Sequence, residues 1–243
     1  MTLLSNRSLL DKELTNVKTN ILRLASMADT AVGDAMLALY QRNIALAQQV
    51  MAGDEEINRL RYSVEEECLL ILATQAPAAR DLRTVVAAIH IAVELERIGD
   101  HASGIARLVA RMETEDGIES LHKLPKMEKQ ARKMLQTDID AYVNNDAEMA
   151  RALIKRDDKL DKQYRKLFQE TLEEMKDDSY IRRATYLLWV GHNLERIGDR
   201  CTNIAERVIF MCTGEFVETV EDALPENMER KSGAAVPPVD NLQ

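Results

Sequence analysis

The chain has 243 residues, of which 46% are hydrophobic and 30% charged, with a net charge of −9. That acidity argues against a nucleic-acid partner, whose phosphates need a basic face, and leans toward cationic partners, metal ions included. No apolar run of about 18 residues and no secretory leader pattern are present, so the expectation is a cytoplasmic protein that inserts in no membrane.

Only 9 Gly and 5 Pro leave few turn-formers, and the abundant Ala, Leu, Met, Glu, Lys, Arg and Gln favour helix. The expected fold class is therefore all-α. Apolar residues at spacings of three and four, Leu14, Val17, Ile21, Leu24, Ala28, Ala31 and Ala35, predict a first helix from about 9 to 51. Gly53 closes it, and Asp54 caps a second helix over 55–74. Pro77 opens a third helix that runs to about 112, since Pro suits a first helical turn. After a polar connector, 113–125, the second half reads as helices over about 126–144, 147–176 and 180–211, the last capped by Asp177 and Asp178 and ended by Gly214. The unperiodic stretch 221–243 reads as a disordered tail. Cys68, Cys201 and Cys212 have no zinc-type spacing and read as reduced thiols.

The third helix of each half carries the same hexapeptide, Leu-Glu-Arg-Ile-Gly-Asp, at 95–100 and 194–199. The likeness extends to Ile105-Ala106 and Ile204-Ala205, Val109 and Val208, and Ser103 and Thr202. Likewise Asp54-Glu-Glu-Ile57-Asn58 is echoed by Asp157-Asp-Lys-Leu160-Asp161. Repetition over this length means two related units, here two three-helix bundles over 8–112 and 126–214.

Within each hexapeptide two acids stand one helical turn apart, Glu96 with Asp100 and Glu195 with Asp199. Like charges at i and i+4 repel, and no Lys or Arg of the same helix is spaced to reach Glu96 or Glu195. A repelling pair that recurs at equivalent positions points to a cation. Carboxylates suit Mg²⁺, Mn²⁺ and iron, and two from one helix cannot fill a coordination shell. Asn58, Asp161, Asp54 and Asp157 are the further candidates from neighbouring helices, their other reading being helix caps and surface polars. Alternatively, Arg97 and Arg196 neutralise Asp100 and Asp199 as solvated ion pairs. Gly99 and Gly198 cost roughly 1 kcal/mol each in mid-helix, which close approach of another helix or room beside an ion would offset. Glu119-Ser-Leu-His122 matches the Glu-x-x-His of di-iron bundles once, where such bundles need it on two helices.

The doubled Leu-Glu-Arg-Ile-Gly-Asp-x-x-(Ser/Thr)-x-Ile-Ala, preceded by Pro77-x-x-x-Asp81-Leu82-Arg83, resembles the PhoU family over about residues 10–215. The resemblance implies a six-helix fold with internal pseudo-twofold symmetry and no enzymatic activity. It further implies a negative regulator of phosphate uptake and starvation signalling, acting beside a phosphate ABC transporter and a membrane sensor histidine kinase. The family's Glu/Asp-x-x-x-Asp motifs map onto Glu96 and Asp100 and onto Glu195 and Asp199, where metal ions are implied: multinuclear iron, or manganese, magnesium or zinc. A homodimer is expected. Competing readings are a ferritin-like di-metal carboxylate enzyme and a metal-free helical adaptor. Three departures from the repeat point to unequal sites: Glu94 becomes Asn193, His101 becomes Arg200, and the Pro-x-x-x-Asp-Leu-Arg entry becomes Asp178-Ser-Tyr-Ile-Arg182.

Overall fold

A computed structural model describes residues 2–112, 121–155 and 158–217. Among these residues there are seven α-helices, one short 3₁₀ helix and no strand. The first half holds α1 (Thr2–Gln41), α2 (Ile44–Gln75) and α3 (Arg80–Arg111). The second holds α4 (Leu124–Asn144), α5 (Ala147–Ile154), α6 (Asp158–Glu174), η1 (Asp178–Tyr180) and α7 (Ile181–Thr213). Most of the expected connector, 113–120, and the expected tail, 221–243, lie outside the described residues.

The first break falls ten residues earlier than Gly53 suggests. Arg42 takes the left-handed conformation (φ 52°), and the Asn43 side chain caps α2 by accepting from the Leu46 N–H at 3.0 Å. Asn is among the strongest N-caps, and it outweighs a glycine that the helix tolerates: Gly53 is exposed, with nothing within 4 Å of a Cβ placed there. In the second half the equivalent long helix is divided into α5 and α6, and Asp146 caps it by accepting from the Met149 N–H at 2.9 Å. Pro77 sits in the connection, because Ala76 and Ala79 both adopt positive φ and α3 begins only at Arg80.

α3 and α7 are the central helices. Each packs on the other helices of its own half, and the two pack on each other; α1 also meets α4. The buried side chains of both halves consequently form a single core, with Ile21, Leu24, Leu95, Ile98, Leu124 and Leu153 fully enclosed. The central pair runs antiparallel. Arg83 Nε donates to the Met211 carbonyl (3.4 Å) near one end, and Asn193 Oδ1 meets His101 Nδ1 (3.1 Å) farther along. Arg83 therefore neutralises carbonyls at the C-terminal end of α7, while Asp81 accepts from Arg7 at 2.6 Å. The Asp-Leu-Arg entry to α3 is a structural clasp.

Candidate functional site

Leu95 and Ile98 of the first hexapeptide are fully buried, which turns Glu96 and Asp100 toward the seam with α2. Gly99 lets α2 come close. A Cβ there would lie 2.9 Å from Ile57 Cδ1 and 3.2 Å from its Cγ2. The approach brings Asp54, Asn58 and Arg61 against the acid pair, since positions spaced by four and three share one face of α2. Asn58 Nδ2 donates to the Asp54 carbonyl (3.2 Å) and to its carboxylate (3.4 Å). Arg61 stands 3.7 Å from Glu96, but lies closer to Glu65, at 3.0 Å.

The electrostatics follow from that crowding. Burial pushes the Glu96 carboxyl up, Asp100 pushes it further, Arg61 opposes, and Asp54 adds to the rise. Asp54 is likewise raised, by burial and then by Asp100, with Arg107 opposing. Glu96 and Asp54, from two helices, thus both hold their protons more firmly, with the Asp100 charge as a shared cause. Oxygen donors of this kind, with an amide alongside, fit a hard divalent or trivalent cation. As the side chains stand, no group of three His, Cys, Asp or Glu residues among the described ones is arranged to hold an ion; Arg61 supplies the positive charge.

The second hexapeptide is surrounded differently. Glu195 is 3.2 Å from His192 Nδ1, and Asp199 is 3.1 Å from Arg196. The position equivalent to Arg61 is Tyr164 of α6, whose phenol is raised by burial and by the nearby Glu195 charge. Its ring lies 6.1 Å from that of His192. Gly191 allows this packing: a Cβ would fall 2.2 Å from Leu167 Cδ2. Asp161 sits in the first turn of α6, and Asp157 lies outside the described residues. Arg61 and Tyr164 were not legible as partners of the acids, although Asp54, Asn58 and Arg61 already share a helical face by spacing alone; His192, three residues before Glu195, is its neighbour by helical spacing.

Two of the three departures from the repeat lie at the α3–α7 seam. Glu94 accepts from Arg200 Nη1 and Asn203 Nδ2, both at 3.2 Å, while His101 meets Asn193 at 3.1 Å. Glu94 corresponds to Asn193 and His101 to Arg200, so these two pairs are counterparts across the α3–α7 seam. The substitutions diversify that interface and do not alter the acid pairs directly. Arg97, for its part, joins Glu94 at 3.2 Å. His122, of the single Glu-x-x-His, faces Glu170 (3.4 Å) and Glu174 (3.0 Å) of α6; Glu119 lies outside the described residues.

A duplicated all-α bundle with one acidic motif in each central helix defines the class. The chain belongs to the PhoU family: the PhoU domain model matches it twice, over residues 21–109 and 124–208. It is 33% identical over 214 residues to a phosphate-specific transport system accessory protein PhoU homolog of Clostridium acetobutylicum, covering 87% of this chain and 98% of the relative. The homolog from Pseudomonas aeruginosa is 34% identical over 91% of this chain and 93% of its own. Among solved structures, PhoU from Pseudomonas aeruginosa superposes with a TM-score of 0.79 at 35% identity, covering 84% of this chain and 99% of that one. The phosphate transport system regulatory protein PhoU from Streptococcus pneumoniae gives 0.81 at 30% identity, covering 86% and 100%.

Proposed function

We propose that this chain is a non-enzymatic negative regulator of phosphate uptake and phosphate-starvation signalling. It acts on the cytoplasmic side, as a homodimer, by docking on a phosphate ABC transporter and on a sensor histidine kinase. The observation that carries the reading is family membership across both halves, with relatives named as accessory proteins of phosphate-specific transport. No helix among the described residues is long and apolar enough to cross a membrane, which suits a docking role. Deleting the chain in its own host is expected to switch on starvation genes in phosphate-rich medium. Unchanged expression there would overturn the regulatory role.

The acid pairs would bind metal ions, iron first, with manganese, magnesium or zinc as alternatives. Asp54, Asn58, Glu96 and Asp100 would hold the first ion or cluster, and Glu195 and Asp199, with Asp161 in the adjoining helix, the second. Bound metal would relieve the carboxylate repulsion described above and stiffen the seams on which partners dock. Protein purified without chelator is expected to carry metal that is lost when Glu96, Asp100, Glu195 and Asp199 are all changed to Ala. Equal metal content in both proteins would remove these residues from the site.

A further inference from the structure

Where the C-terminal part of α3 lies against the N-terminal part of α7, a groove of about 280 Å³ opens to solvent. Arg107 and Arg111 form one wall, one turn apart; Trp189, His192 and Asn193 form the other. Gly104 sets the depth, because a Cβ there would come 2.9 Å from Asn193 Oδ1. Asn193 is pinned, meeting His101 and donating to the Trp189 carbonyl at 2.8 Å, so the wall is rigid where the indole emerges. Trp189 is 49% exposed and is the chain's single tryptophan.

The duplication tells structural residues from acquired ones here. Positions that the fold requires recur 99 residues apart, yet Arg107 corresponds to Glu206, Arg111 to Phe210, Trp189 to His90 and His192 to Val93. The arginine pair beside a tryptophan therefore exists on one side of the pseudo-symmetric molecule, the counterpart positions carrying Glu206, Phe210 and His90, with Arg207 in place of Leu108. Arg111 makes no ion pair with any described residue. Among the described residues Arg107 donates to the Ser103 hydroxyl, at 3.3 Å, and lies within the field of Asp54. Glu195 draws on His192 from the α7 side.

We infer that this groove binds a nucleoside phosphate, its phosphoryl group held by Arg107 and Arg111 and its base stacked on Trp189. Guanidinium groups match phosphate oxygens in geometry as well as charge, and an exposed indole face accepts any base by stacking. The groove borders the acid pairs through Arg107, in the field of Asp54, and His192, 3.2 Å from Glu195, but neither arginine nor Trp189 is among the proposed metal ligands.

The test is calorimetric titration of the full chain with ADP, inorganic phosphate and adenosine, read in parallel by Trp189 emission. Saturable ADP binding with quenching is expected, with phosphate and adenosine each at least about ten-fold weaker. An R107A/R111A double variant should lose at least about ten-fold in ADP affinity while melting as wild type does, and W189A should weaken ADP more than phosphate. Three results would each overturn the inference: no ADP binding at about 1 mM, ADP binding indifferent to the arginine pair, or phosphate binding as tight as ADP.

Discussion

At the scale of single residues, Arg61 and its counterpart Tyr164 set the two acid pairs apart. A guanidinium from the adjoining helix, 3.7 Å from Glu96, competes with any cation for that carboxylate, whereas at the second pair the guanidinium is Arg196 of the same helix, 3.1 Å from Asp199, and the adjoining helix brings the phenol of Tyr164. Arg61→Ala is therefore expected to tighten metal binding at the first acid pair and leave the second unchanged, measured by calorimetry with Mn²⁺. The raised carboxyls give a second expectation. Glu96 holds its proton more firmly in the folded chain than in the unfolded one, so its contribution to stability is full below the ordinary carboxylate range and is lost as pH climbs through the raised value. Glu96→Gln keeps the neutral form at every pH, and Arg61 retains Glu65 at 3.0 Å. In chelator, then, the urea midpoint of Glu96→Gln should exceed that of wild type by a margin that grows from pH 4 to pH 7; a constant or shrinking margin would refute the account.

Helix boundaries show where sequence reasoning reaches its limit. The long amphipathic stripes and the doubled hexapeptide carry the all-α fold and the repeat, because periodicity integrates over many residues. Boundaries rest on one or two residues, and there Asn43 outcompetes Gly53 through a side-chain hydrogen bond that periodicity does not register. The acid pairs were legible from their mutual repulsion, but Arg61 and Tyr164 were not, since contacts between helices depend on the glycine-permitted approach of α2 and α6. Two substitutions check the boundary with opposite signs. Asn43→Ala should cost about 1 kcal/mol of unfolding free energy by removing the cap. Gly53→Ala should add about 1 kcal/mol, because the site is mid-helix and has open space around its Cβ. Were Gly53 the true helix end, the second change would destabilise the chain.

For the whole molecule, the antiparallel α3–α7 seam decides whether the halves act as one body. Its polar pairs are counterparts of each other, yet they have diverged into one charged set, Glu94 with Arg200 and Asn203, and one set built on His101 and Asn193. Burial holds the His101 imidazole below its usual range, with the Asn193 hydrogen bond opposing and Arg200 adding to the drop, which favours its neutral form beside the charged Glu94–Arg200 pair. Glu94 and Arg200 are each 13% exposed, so removing one partner leaves the other's charge poorly solvated, whereas removing both does not. Glu94→Asn alone should destabilise the chain, because Arg200 then faces a neutral amide. Adding Arg200→His copies the His101–Asn193 pair onto the other side and should restore most of the loss, with a coupling energy of about 1–3 kcal/mol in a double-mutant cycle. If the two changes instead add, the seam tolerates each side independently, and the divergence of the repeat at these positions serves a partner surface and not the union of the halves.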